Sequence, residues 1–212
     1  MQTVTVLRHP VVADKLRTLR DRHTSIHAFR SALKGLGFFL AMEATKTLPA
    51  VDAPVYTPLD VEAPATKIKS ERVLLVPILR AGLGLVDSFL EFLPAARVAH
   101  IGISRDHETL QARAYLCSLP ENPADFDRVF VLDPMLATGN SSVKTLDLIM
   151  EAGYSPEKIT LVCAFAVEQG INQIIKKYPQ VSIVTATIDP QLNEKGYIVP
   201  GLGDAGDRLF LI

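Results

Sequence analysis

The residues of this chain best suited to chemistry gather in the run Arg128 to Ser142, RVFVLDPMLATGNSS. Asp133 closes an apolar run, Val129 to Leu132, whose β-branched and aromatic content reads as a buried strand. Leu136 to Asn140 follow with small or turn-permissive types, and Gly139 and Asn140 both tolerate positive φ. Ser141 and Ser142 stand where a helix N-cap is expected, ahead of Val143, Leu146, Ile149 and Met150 at helical spacing. A strand, a carboxylate, a tight loop and a helix in that order aim several backbone N–H groups at one point on the positive end of the helix, which suits a phosphate. Thr138, Ser141 and Ser142 add hydroxyl donors. The loop holds no lysine, so it is not the pattern G-x-x-x-x-G-K-[ST]. A carboxylate repels a phosphate laid against it but accepts hydrogen bonds from both hydroxyls of a ribose. Asp133 and the loop together therefore read as a site for a ribose 5-phosphate. The spacing by itself fits an ordinary βα turn equally well.

Two further stretches carry candidate groups. In RVLLVPILRAGLG, Arg80 follows an apolar strand and precedes Gly82 and Gly84. Placed so, a guanidinium projects a planar, permanently charged fork into a cleft, for which pyrophosphate is a natural partner; the plainer reading is an arginine paired with a surface carboxylate. Near the carboxyl end lies YIVPGLGDAGDR, Tyr197 to Arg208, where glycines and Pro200 exclude a regular element and leave main-chain N–H and C=O groups exposed. Composition alone makes this a Gly-rich surface loop.

The elements that must position these groups follow from periodicity. Arg72–Leu79, Ala96–Ser104, Val129–Leu132, Lys158–Val167 and Val181–Ile188 are short apolar runs. Helical segments over 85–93, 141–152 and 169–178 separate several of them. Such alternation from residue 72 onward predicts a parallel sheet covered by helices. Arg80 and Asp133 both fall at carboxyl ends of strands, where open α/β sheets bind ligands. Between Arg105 and Pro120 the chain is first polar and then alternating, as a flexible hairpin would be. Residues 1–60 read as helices laid before the sheet, the second capped by Thr24 or Ser25 with an apolar face of Ile26, Phe29, Leu33, Leu36, Phe39, Leu40 and Ala44. Lys15, Arg17, Arg20 and Arg22 read as a solvated face, and 51–59 as extended. His100 reads as an ordinary sheet histidine.

Bulk properties narrow the classes. At 212 residues one domain is expected, and a 48% hydrophobic content favours an oligomer. Net charge is −1, from 22 basic and 23 acidic residues, so no basic excess exists to drive nucleic-acid binding. Cys117 and Cys163 lack metal-ligand spacing, and Cys163 reads as core. The N-terminus lacks the apolar core of a signal peptide, and GLGFFLAM is far shorter than a membrane span. The expectation is a cytoplasmic protein without membrane or nucleic-acid partners.

VLDPMLATGNS resembles the phosphoribosyl-pyrophosphate (PRPP) motif of uracil phosphoribosyltransferases, which read DPMLATGGS there. VPILRAGLGLVDS is similar to their VPILRAGLGMVDG, and RDHETL, from Arg105, to R-D-E-E-T-L. YIVPGLGDAGDR resembles their uracil-binding hood. The pattern His9, Pro10, Leu19, Arg20, Thr24, Ser25, Phe29 and Arg30 also resembles the family's N-terminal region, where it contributes to subunit contacts. Asn140 and Ser88 stand for glycines, Ser104 for a tyrosine and His107 for a glutamate. Asn140 is the next-best residue for a left-handed conformation.

The resemblance implies a type I phosphoribosyltransferase α/β fold in one domain. It divides into an N-terminal helical and extended region over 1–70, a PRPP-binding core over 71–188, and a hood with a last strand over 189–212. It implies PRPP binding by Arg80, Arg105, Asp133, Pro134, Met135, Leu136, Ala137, Thr138, Gly139, Asn140, Ser141 and Asp204. Uracil would be held by the main chain of Ile198 and by Gly203, Asp204 and Ala205. Arg80, Arg105, Asp133 and Asp204 would act in catalysis, with Mg2+ carried mainly by PRPP and water rather than by protein ligands. The implied reaction joins uracil and PRPP into UMP and pyrophosphate through an oxocarbenium-like transition state. GTP as an activator and a homodimer or homotetramer are further implications.

Uracil presents an acceptor–donor–acceptor edge that main chain can match, whereas cytosine puts an amino group opposite a fixed donor, at a cost of ~1–3 kcal/mol. A purine or orotate enzyme would need another base-reading stretch, and typically two adjacent acids before the loop, where here Pro134 follows Asp133. An RNA-binding regulator of this fold would need a basic face that the charge balance does not supply.

Overall fold

The computed structural model describes residues 4–105 and 112–211. The chain opens with a short strand, β1 (Val4–Val6), then α1 (Pro10–Arg20) and α2 (Ile26–Ala44). Four short strands follow, β2 (Ala50–Asp52), β3 (Val55–Tyr56), β4 (Glu62–Ala63) and β5 (Thr66–Ile68). The central part runs β6 (Val73–Leu79), α3 (Leu83–Phe92), β7 (Arg97–Val98), β8 (Ile101–Arg105), β9 (Ala112–Cys117), β10 (Arg128–Leu132), β11 (Met135–Leu136) and α4 (Asn140–Glu151). The last part is β12 (Ile159–Val167), α5 (Glu168–Lys177), β13 (Ser182–Asp189), β14 (Gln191–Leu192), β15 (Ile198–Val199) and α6 (Ala205–Phe210).

The main sheet has the order β1-β13-β12-β10-β6-β8-β9, with β11 beside β12 and β7 beside β6. All its pairings are parallel except β8 with β9. β6, β10 and β12 are buried because both faces are covered. Within β10, Phe130 and Leu132 pack toward one core and Val129 and Val131 toward the other, the period of two that a strand imposes. The first core holds the apolar faces of α1, α2 and α3, including Leu19, Phe29, Leu36 and Phe89. The second holds those of α4 and α5, including Leu146, Ile149 and Ile174. Burying each such side chain contributes about 1.5–3 kcal/mol. Helices on both faces of a mostly parallel sheet are thus confirmed. So are the Ser25 cap of α2, whose hydroxyl accepts from the Ala28 N–H at 3.3 Å, and Cys163 as a core residue.

Three expectations change. The amino-terminal segment is not only helical, because Val4–Val6 adds a parallel edge strand against Ile183–Thr185. Three residues carry too little periodicity to reveal a strand. The single strand expected over Ala96–Ser104 is split into β7 and β8. The carbonyl of Leu75 accepts from the Ala99 N–H at 2.9 Å, so residues of that parity on β6 face β7 and β8. Two residues on, Pro77 has no N–H to offer, and the ladder lapses at Ala99 and His100. Arg20 is not on a solvated face, as described below. The extended stretch over 51–59 is an arm of two antiparallel pairs, β2 with β5 and β3 with β4.

Candidate active site

Asp133 ends β10 and is locked there by main chain. Its N–H donates to the Val162 carbonyl at 3.1 Å, and the Pro134 carbonyl accepts from Ala164 and Phe165 N–H groups at 3.0 and 2.9 Å. Proline has no N–H to satisfy at this crowded point, where its carbonyl serves as the anchor. Among the described residues the Asp133 carboxylate receives one weak hydrogen bond, from the Met135 N–H to Oδ1 at 3.3 Å. Part of its surface opens on a cleft, but burial still pushes the carboxyl up to about 7, against the lowering effect of that N–H. An acid so placed has unused acceptor capacity for a pair of hydroxyls.

The segment after it is more ordered than a loop. Met135 and Leu136 form β11, in register with Phe165 and Ala166 of β12. Leu136 is 1% exposed and belongs to the core, so only its main chain can face a ligand. Gly139, at φ +86°, is the N-cap of α4, with no side-chain cap. That corrects the expected capping role of Ser141 and Ser142, which lie within the first turn. A glycine cap leaves the opening N–H groups free of a competing side chain, apart from a 3.4 Å bond from the Asn140 N–H to the Thr138 hydroxyl. Ser141 is exposed at this end and Ser142 buried. Asn140 is helical, so the left-handed role falls to Gly139 alone. The Asn140 side chain is turned toward α5, its Oδ1 accepting from Gln173 Nε2 at 2.9 Å.

The stretch over 197–208 is also more regular than expected. Ile198–Val199 pairs with Gln191–Leu192 as a small hairpin, and Ala205–Phe210 is a helix. Asp204 caps that helix, its Oδ1 accepting from the Asp207 N–H at 3.0 Å. Capping explains how a helix starts so soon after three turn-forming residues. Between hairpin and helix, the Val199–Pro200 bond is cis and Gly201 has φ +55°. A Cβ on Gly201 would lie 2.1 Å from the Ile198 carbonyl oxygen, so only glycine fits.

These pieces face each other across one cleft of about 260 Å³. Asp133, Met135, Ala137 and Ser141 line one wall; Ile198, Gly203, Asp204 and Ala205 line the other. Tyr197, Gly196, Gly206 and Ala81 complete it. Pro134, Leu136, Thr138, Gly139 and Asn140 support the first wall without lining the cleft. Arg80 is exposed at the end of β6, one residue before the cleft-lining Ala81, and has no salt bridge among the described residues. The peptide bond preceding it is cis. Arg105 ends β8, but its side chain, and His107 with the rest of 106–111, lie outside the described residues. Ser104, on the described part of β8, has its hydroxyl 3.4 Å from the Arg113 carbonyl.

The second wall is tied down by Asp189, which no sequence motif marks, and by Arg20, which reads in sequence as a solvated charge or a subunit contact. Asp189, at the end of β13, is 3% exposed. Arg20 Nη1 and Nη2 donate to its two carboxylate oxygens at 2.7 and 2.6 Å. Burial would raise the Asp189 carboxyl, but those bonds and the Gly201 N–H outweigh it and hold it below the usual range. A signal was present: Asp189-Pro190 ends a strand just as Asp133-Pro134 does.

A parallel sheet with helices on both faces, a glycine-capped helix beside a strand-end carboxylate, and a separate roof over them define a phosphoribosyltransferase architecture. Adenine phosphoribosyl transferase from Trypanosoma brucei shares it, with a TM-score of 0.59 at 13% identity over 96% of this chain and 89% of that one, a likeness of fold. The chain belongs to the uracil phosphoribosyltransferase family, whose family model matches residues 6–211. A relative named uracil phosphoribosyltransferase in Synechococcus elongatus is 48% identical over 204 residues, covering 95% of this chain and 94% of its own. A protein of Aquifex aeolicus has a solved structure that matches with a TM-score of 0.90 at 37% identity over 99% of both chains.

Proposed function

We propose that this chain transfers the phosphoribosyl group of PRPP to N1 of uracil, giving UMP and pyrophosphate, a salvage of free pyrimidine base. The observation that carries the reading is the shared cleft, with Asp133 and Ser141 of the α4 start on one wall and Ile198 and Gly203–Ala205 on the other. Asp133 accepts from the ribose hydroxyls. The first N–H groups of α4, with Thr138 and Ser141, hold the 5-phosphate. The roof segment presents uracil so that N1 faces the ribose C1 carbon. Arg80 and Arg105 take up charge on the departing pyrophosphate. The C1–O bond to pyrophosphate breaks as the C1–N1 bond forms, with positive charge on the ribose ring between. Catalysis is then positioning plus electrostatic stabilisation of the leaving group.

Mg2+ fits this donor set. Asp204 and Asp133 put hard carboxylate oxygens on the cleft, and no three His, Cys, Asp or Glu side chains cluster as a cage among the described residues. An ion here would take its ligands mostly from PRPP and water, and Asp204 would be the residue to hold it through water. When bound, it neutralises charge on the pyrophosphate. Asp204 is also the nearest candidate to receive the N1 proton.

The arm over 50–68 supports self-association, because Tyr56 is 76% and Leu59 82% exposed on it. A homodimer or homotetramer covers such a surface, and light scattering that finds a monomer at micromolar protein refutes it. No described helix is long and apolar enough to cross a membrane. Exposed, unpaired Cys117 fits the reducing cytoplasm. GTP activation rests on the family resemblance, and a GTP titration of the transferase rate tests it. The function itself is tested by incubating purified protein with Mg2+, PRPP and a panel of bases. UMP from uracil alone is the expected outcome; equal use of cytosine or of a purine refutes the reading.

A further inference from the structure

Gly201 lies between the two segments that line the base side of the cleft, Ile198 and Gly203–Ala205. Both of its main-chain polar groups end on one ion pair. Its N–H donates to Asp189 Oδ2 at 2.8 Å, and its carbonyl accepts from Arg20 Nη1 at 3.0 Å. The same Nη1 also donates to Asp189 Oδ2, so the turn, the acid and the guanidinium close a small ring of hydrogen bonds. Behind it, the Arg20 guanidinium sits 4.7 Å from the centroid of Phe165, on β12. The anchor is rigid on every side: α1 carries Arg20, β13 carries Asp189 and β12 carries Phe165. Nearby contacts add to it. Arg208 donates to the Leu202 carbonyl at 3.0 Å and to the Asp21 carbonyl at 2.8 Å, and Arg30 donates to the Leu209 carbonyl at 2.9 Å.

A main-chain reader of a base works only if its groups are held in place before the base arrives, since a mobile loop would lose ordering entropy on binding. Gly201 has no side chain with which to anchor itself. We propose that Arg20, bridging Asp189 and the Gly201 carbonyl, is the positioning residue that sets base affinity and base choice. It touches neither uracil nor PRPP. The inference rests on the uracil reading of the cleft, and it assigns the larger effect to the base side, because Arg20 bonds the Gly201 carbonyl directly and meets the Asp133 wall only through the face of Phe165, whose main-chain N–H holds the Pro134 carbonyl.

Arg20→Lys tests it. The ammonium keeps the charge but cannot donate along both edges of the carboxylate and to the carbonyl at once. The expected result is a KM for uracil raised about tenfold or more, the loss of one charge-assisted contact. The KM for PRPP should stay within about twofold, and the preference for uracil over cytosine should fall. Arg20→Ala supplies a second measurement: millimolar guanidinium should restore its uracil KM, which a general loss of stability would not allow. Unchanged KM for uracil in Arg20→Lys, whatever the change in Tm, overturns the proposal. So does a parallel rise of both KM values, or loss of PRPP binding in both variants, since the ion pair would then serve the whole fold. Wild-type protein that forms no UMP would instead overturn the uracil reading.

Discussion

Asp133→Asn should make the ligand-free protein more stable while disabling it. The carboxyl rises from 3.8 to about 7 on folding because burial penalises its charge. The native state therefore binds a proton more tightly than the unfolded chain between those values, and stability falls as pH rises through that window. At about 1.4 kcal/mol per pH unit, the ionised acid costs the fold at most about 4 kcal/mol above pH 7. The cleft is open to solvent, so about 2–4 kcal/mol is the expected gain on removing the charge. Asparagine keeps an oxygen for the Met135 N–H, so the local geometry survives. Urea unfolding of both proteins from pH 4 to 8 measures the difference. The variant should match wild type near pH 4 and exceed it progressively until about pH 7, then by a constant amount. In the same variant PRPP affinity should fall, because an amide accepts less strongly from the ribose hydroxyls and sets a donor against them. A variant no more stable than wild type at pH 8 would refute the claim that Asp133 is held charged against its own burial.

Further consequences follow from the same geometry. In wild type, kcat/KM for PRPP should drop as pH falls through about 7, in step with protonation of Asp133; a flat profile from pH 6 to 8 contradicts its role on the sugar. Arg80→Ala should lower kcat by about 10²–10³-fold through loss of a leaving-group contact, and steady-state kinetics showing unchanged turnover would remove it from the mechanism. Gly201→Ala forces a Cβ to 2.1 Å from the Ile198 carbonyl at φ +55°, so urea unfolding should register a loss of more than about 2 kcal/mol. Asn140→Gly should change the PRPP KM by less than about twofold, since the side chain is held by Gln173; a tenfold improvement would show instead that asparagine crowds the phosphate.

The sheet was legible because buried parallel strands are short apolar runs, and Arg128–Leu132 and Ile159–Val167 are unmistakable as such. An acid ending an apolar strand marks Asp133, and glycines at 201, 203 and 206 mark the stretch over 197–208, but residue types alone leave an ordinary βα turn and a surface loop open; only the motif resemblance points them at a ligand. Local order within those stretches was not legible. Asp204 reads as an exposed acid until its place ahead of a short helix makes it a cap. The gap at Ala99–His100 depends on which edge of β6 Pro77 faces, a matter of register rather than composition. Arg20 looks solvated in sequence because α1 carries other basic residues beside it; its partner lies 169 residues away in sequence. No local pattern encodes a contact of that range.

A crystal structure of the protein with UMP would show directly which wall holds the phosphate and which the base. The expected complex has the 5-phosphate at the start of α4, the ribose hydroxyls on Asp133, and the uracil edge hydrogen-bonded to main chain of Ile198 and Gly203–Ala205. A base lying outside the roof with its edge in solvent, or a phosphate bound away from residues 138–141, would contradict it.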